Sequence, residues 1–153
     1  MKPTQAILCL ATLLAGPAAN ANEFVLHVEP AASFWVDQPQ DERFAPGFYL
    51  AVRPGVALGP VVSLQWSYSL LVTPAGEGFD EVGSAHALMA GLRLRPFGAG
   101  RPASEQLEGL WVDGNLGYVR SEDLDRLGFD AGLGYAWQLA SGFAIGPVVR
   151  YGH

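Results

Sequence analysis

Between residues 62 and 72 the chain alternates strictly. Val62, Leu64, Trp66, Tyr68, Leu70 and Val72 fall on one face, and Ser63, Gln65, Ser67, Ser69 and Leu71 on the other. A period of two predicts a β-strand, because successive side chains of an extended chain point to opposite sides. A helix would mix Ser63 and Ser67 with Leu64 and Leu71 and lose the pattern. A transmembrane β-strand needs about 9–11 residues, apolar toward lipid and polar toward the lumen. This stretch has that length and that pattern. A strand of a soluble sandwich would alternate too, so the decision rests on the other segments.

Six more segments repeat it. Residues 24–36 put Phe24, Leu26, Val28, Phe34 and Val36 opposite Val25, His27, Glu29, Ala31 and Ser33. Residues 48–58 set Phe48, Leu50, Val52, Val56 and Leu58 against Tyr49, Ala51, Arg53, Gly55 and Ala57. Residues 86–96 set His86, Leu88, Ala90, Leu92 and Leu94 against Ala87, Met89, Gly91, Arg93 and Arg95. In 110–120, Leu110, Val112, Leu116 and Tyr118 oppose Trp111, Asp113, Asn115 and Val119. In 127–139, Leu127, Phe129, Leu133, Tyr135 and Trp137 oppose Gly128, Asp130, Gly132 and Gly134. The last segment, 143–152, places Phe143, Ile145, Val149 and Tyr151 against Ala144, Gly146, Val148 and Arg150. Gly59-Pro60 and the triplet 140–142 are turn signals between strands.

The small face decides between a soluble sheet and an inverted one. The wet side of a soluble antiparallel sheet is usually rich in Lys, Glu and Thr. Here it is Gly, Ala and Ser with single charges of both signs: Glu29, Arg53, Arg93, Arg95, Asp113, Asp130 and Arg150. Such a face suits the crowded inside of a narrow barrel, and those seven residues are expected to form a lumen charge network. Aromatics near strand ends, among them Phe24, Phe34, Phe48, Trp137, Phe143 and Tyr151, fit the girdles of a membrane barrel. The fold class expected is all-β: an antiparallel up-and-down transmembrane β-barrel with seven strands visible of an expected eight.

Composition sharpens this. The chain of 153 residues is half hydrophobic and 16% charged, with 19 Gly, which is too apolar for disorder. Its net charge of −6 argues against a nucleic-acid surface. Residues 1–21 read as a signal peptide, with Lys2, an apolar run over 6–16 and the small-x-small site Ala19-Asn20-Ala21. The competing reading is a buried N-terminal helix. Cys9, the sole cysteine, lies in the apolar run, so the processed chain would carry neither disulfide nor lipid anchor. Lys2 is also the only lysine. With the first strand starting in the periplasm, loops 37–46, 73–84 and 120–126 fall outside, and their charged residues sum to −6. The connection 97–109 is long for a periplasmic turn.

The leader, the alternating strands, the glycine-rich lumen face and the segment Leu127-Gly-Phe-Asp-Ala-Gly-Leu-Gly-Tyr135 resemble the small OmpA-type outer-membrane β-barrels of Gram-negative bacteria. The resemblance spans nearly all of 22–153 and implies an eight-stranded structural barrel in the outer membrane, monomeric and in contact with outer-membrane lipid. Some members anchor a peptidoglycan-binding domain, so a peptidoglycan link is implied only through a C-terminal domain that 22–153 lacks. The segment 143–152 is still alternating at His153, and a closing strand with a terminal aromatic is not seen. The barrel is therefore expected to be incomplete at its C-terminus, with a gap between the strands at 24–36 and 143–151.

Candidate chemistry is sparse. His27 and Glu29 share a face two residues apart and could form a proton-transfer or metal pair, against the simpler reading of a lumen hydrogen-bond network. Glu122, Asp123 and Asp125 lack the glycine and spacing of a calcium loop. Ser84 and His86 are the one pairing comparable to a lipid-acting hydrolase, with no third orienting acid. No catalytic, cofactor or metal residue is assigned, and the chain is expected not to be an enzyme. Two alternatives remain: a soluble periplasmic β-barrel binding an apolar ligand, and a lipid-modifying outer-membrane hydrolase.

Overall fold

A computed structural model describes residues 5–15, 23–36, 44–80, 82–97, 109–121, 124–140 and 143–153. They form one antiparallel sheet of nine strands: β1 (Gln5–Ala15), β2 (Glu23–Trp35), β3 (Gly47–Ala57), β4 (Val62–Thr73), β5 (Gly83–Leu94), β6 (Leu110–Ser121), β7 (Leu124–Tyr135), β8 (Trp137–Ala140) and β9 (Phe143–Gly152). Strands β2 to β7 and β9 run up and down in sequence order and carry the seven predicted alternating segments. Each pairs with its chain neighbour, as short connections favour.

The segment 127–139, read as one strand, is divided. β7 and the start of β8 pair with β9 in one register, Gly134 opposite Val148 and Trp137 opposite Ile145, which shifts between Gln138 and Ala140. That register sets Tyr135 opposite Pro147, which has no N–H to give the ladder. The Tyr135 carbonyl presses onto Gly146, where a side chain would have no room. Ala136 instead donates its N–H to the Gly109 carbonyl at 2.9 Å.

β2 and β9, predicted to face each other across a gap, are each hydrogen-bonded to β1. Gln5 lies opposite both Trp35 and Gly152, and Ala15 opposite both Leu26 and Phe143. The stretch read as an export leader thus occupies the seam and closes the sheet on itself. Both pairings shift register in mid-strand, between Leu8 and Leu13 on one side and Cys9 and Thr12 on the other.

The stagger follows from the register. One circuit runs from Ser33 through Ile7, Arg150, Gly132, Asp113, Arg93, Ser63 and Ala57 to Glu23. It leaves β2 at residue 33 and returns at residue 23, ten residues away. With about 3.3 Å per residue and about 4.8 Å between strands, that offset tilts eight staves by about 40°, in the range of closed barrels. An interior of this size is filled by side chains.

Burial is inverted relative to an ordinary domain. The buried set includes Glu29, Arg53, Gln65, Arg93, Asp113, Asn115, Asp130 and Arg150, while Phe24, Trp66, Leu88, Leu116, Leu127, Leu133 and Trp137 are exposed. A small apolar cluster of Ala31, Tyr49, Ala51, Leu71, Trp111 and Val148 packs inside with the charges. Among the described residues no helix is long and apolar enough to cross a membrane.

Candidate functional site: a buried charge network in the lumen

The interior is organised on three carboxylates and three guanidiniums. Strand alternation aims all six inward, and the stagger of the sheet brings residues far apart in sequence to one level. Arg93, Asp113, Gly132 and Arg150 are successive cross-strand partners on β5, β6, β7 and β9. Arg93 Nη2 donates to Asp113 Oδ2 at 2.7 Å and to Glu29 Oε1 at 3.0 Å. Arg150 Nη1 donates to Asp113 Oδ1 at 2.8 Å and to Asp130 Oδ1 at 2.6 Å. Its Nη2 lies 3.0 Å from Glu29 Oε2. From β3, Arg53 donates through Nε to Glu29 Oε2 at 3.0 Å and through Nη2 to Asp130 Oδ2 at 3.1 Å.

The formal charges cancel, which is the condition under which ions persist away from water. Arginine suits the task because its flat fork can bridge two carboxylates at once. Arg95, the fourth arginine expected here, lies outside the network: it is half-buried just beyond β5 and makes no ion pair among the described residues. Three carboxylates can neutralise three guanidiniums, and Arg95 is the one nearest the barrel mouth.

Uncharged groups complete the arrangement. Asn115 donates to Asp130 Oδ1 at 2.6 Å and accepts from Gln65 Nε2 at 2.8 Å. Tyr49 accepts a hydrogen bond from Arg53 at 2.9 Å. The Trp111 ring stacks under Arg93, 3.7 Å from Cζ to the ring centroid, a cation–π contact in a dry setting. The alternation already set all four on the inward face. Their roles escaped because a charge count does not register an amide, a phenol or an indole.

Glycines make the space. A Cβ on Gly132 would stand 2.8 Å from Arg150 Cζ, Arg150 Nη2 and Asp113 Oδ1. One on Gly134 would run into the Trp111 ring. The glycine-rich inner face of β7 is therefore where the large side chains of β6 and β9 cross.

The paired residues His27 and Glu29 do not form a unit of their own. Both oxygens of Glu29 are taken by guanidiniums, while His27 is buried opposite Arg53 in the register. Among the described residues no group of three His, Cys, Asp or Glu is placed to hold a metal. Ser84 and His86 lie on the same exposed face of β5. The Ser84 carbonyl accepts from Ser121 Oγ at 3.3 Å, whereas His86 Nδ1 is 2.8 Å from the Tyr68 hydroxyl on the outer face. Of the acidic turn, Glu122 and Asp123 lie outside the described residues, and Asp125 is exposed near Arg120. A small cavity of about 60 Å³ adjoins Tyr49, Ser69, Met89, Arg126 and Asp130, room for a few waters.

Searches against protein-family models, curated proteins and solved structures find no match to this chain.

Proposed function

We propose that the protein is a structural outer-membrane β-barrel of the kind its sequence resembles, inserted as a monomer with acidic loops outward and a side-chain-filled polar lumen. The observation that carries this reading is the inversion of the two faces. Six charged side chains are buried at the centre of the sheet, while Leu, Val, Phe, Trp and Tyr side chains of the outer face are exposed. Soluble monomers rarely expose a contiguous apolar surface of more than a few hundred Å². A bilayer is the solvent in which such a face is stable, and the sheet, closed as long as β1 is kept, satisfies its backbone there without water.

A soluble barrel carrying an apolar ligand would need an apolar interior. An inner face centred on three guanidiniums and three carboxylates is unsuited to that role. Against the hydrolase reading stands the contact of His86 Nδ1 with the Tyr68 hydroxyl, and no third orienting acid is assigned. We therefore assign no enzymatic role.

Export to the Gram-negative outer membrane rests on the leader composition of 1–21. The same apolar residues suit the seam between β2 and β9. Amino-terminal sequencing of the protein recovered from membranes separates these uses: a chain starting at Asn22 has lost the leader, and one starting at Met1 has kept it. The reading as a whole is tested by fractionation. Recovery in carbonate-washed outer membranes supports it, and recovery in the periplasmic fraction contradicts it.

A further inference from the structure

On the outer face of β4, β5 and β6, near the rim that carries the acidic loops, lies a polar patch that the lumen does not explain. His86 and Arg120 are direct cross-strand partners on β5 and β6, and side chains opposite each other in an antiparallel pair are close neighbours. The Tyr68 hydroxyl meets His86 Nδ1 at 2.8 Å. With Tyr68 donating, the imidazole carries its proton on Nε2, the nitrogen not engaged by Tyr68. Arg120 is 63% exposed, and its described ionic neighbour is Asp125, 3.9 Å from Nε. Among the described residues the end of the Arg120 fork has no hydrogen-bond partner.

A second, independent feature lies below it on the same strands. A groove of about 550 Å³ runs along the outer face, bounded by Trp66, Tyr68, Leu88 and Leu116 and floored by Ala90 and Gly117. Ala90 is four residues below His86, about 13 Å along the strand. The groove exists because small residues lie between large ones, Ala90 being the cross-strand partner of both Trp66 and Leu116.

From this juxtaposition we propose a binding site for one membrane lipid, its headgroup phosphate held by Arg120 and His86 and an acyl chain lying in the groove over Ala90. The inference rests on the membrane reading above. Arginine forks and an imidazole N–H suit a phosphate, tyrosines suit the level where headgroups meet chains, and the groove beneath favours a lipid over a free anion.

The test is native mass spectrometry of the barrel extracted from vesicles into a mild detergent, offered phosphatidic acid or a diacylglycerol with the same chains. One phosphatidic acid should be retained per barrel, and diacylglycerol far less. Arg120→Gln combined with His86→Gln should weaken retention about tenfold, the factor for one lost charge-assisted bond. Ala90→Phe, which fills the groove, should weaken it as well. Equal retention of the two lipids, unchanged retention in either variant, or displacement by millimolar inorganic phosphate would each overturn the site. A barrel that enters vesicles but keeps no phosphatidic acid refutes the site alone. One that does not enter vesicles refutes the membrane reading along with it.

Discussion

Arg150 crosses the lumen over Gly132, and its guanidinium occupies the space a side chain at 132 would need. A Cβ there would stand 2.8 Å from both Arg150 and Asp113. A flexible arginine could normally move aside, but this one is tied to Glu29, Asp113 and Asp130. Gly132→Ala should therefore destabilise the barrel by about 1–3 kcal/mol, as overpacking does. The readout is the urea midpoint of unfolding from vesicles. Gly59, whose surroundings are open, is the control and should tolerate alanine with little change.

Arg93 and Arg95 sit two residues apart on one face yet should differ widely. Removing Arg93 leaves Asp113 and Glu29 still bonded to Arg150 but takes one of three guanidiniums from a neutral buried set. Arg93→Ala therefore leaves an uncompensated negative charge and should cost about 3–5 kcal/mol, the range for a broken buried pair. Arg95 lies outside the network, and Arg95→Ala should stay within about 0.5 kcal/mol. Equal effects in paired unfolding curves would remove the distinction.

Tyr49 supports the network from the side. Its hydroxyl accepts from Arg53 while the ring packs with Leu71 and Trp111. Tyr49→Phe keeps the ring and removes the acceptor of a charged donor, a loss of about 1.5–3 kcal/mol. Tyr49→Leu should cost more, because it removes packing too. A phenylalanine variant as stable as the parent would show that the hydroxyl contributes nothing.

Charges introduced on the outer face should be poorly tolerated at mid-strand. Leu133 is half exposed at the level of Asp113 and Gly132. Leu133→Arg should cost about 2–4 kcal/mol in a bilayer, whereas Ser67→Ala on the inner face should cost much less. Vesicle-folding equilibria measure both.

The faces of the strands were legible because alternation needs only the order of residue types. Leu127 and Asp130 declare their sides without reference to any other strand. Which arginine meets which carboxylate was not legible. That depends on the ten-residue offset around the sheet, which brings Arg93 to Asp113 and leaves Arg95 out. The break after Tyr135 was hidden for a similar reason, since Pro147 on the neighbouring strand causes it. The seam shows another limit. The apolar run around Leu8, Leu10, Leu13 and Leu14 has the composition of an export leader, and composition alone does not exclude pairing as a strand.

The central claim, that an apolar belt faces lipid while charges fill the lumen, places two tryptophans in opposite environments. Trp66 is 48% exposed on the outer face and Trp111 is 2% exposed beneath Arg93. Two variants that each keep one of them, with the other tryptophans changed to Phe, can be folded into vesicles whose acyl chains carry bromine. The account predicts strong quenching of Trp66 and much weaker quenching of Trp111. Quenching of Trp111 above Trp66, or quenching of neither in a folded barrel, would contradict it.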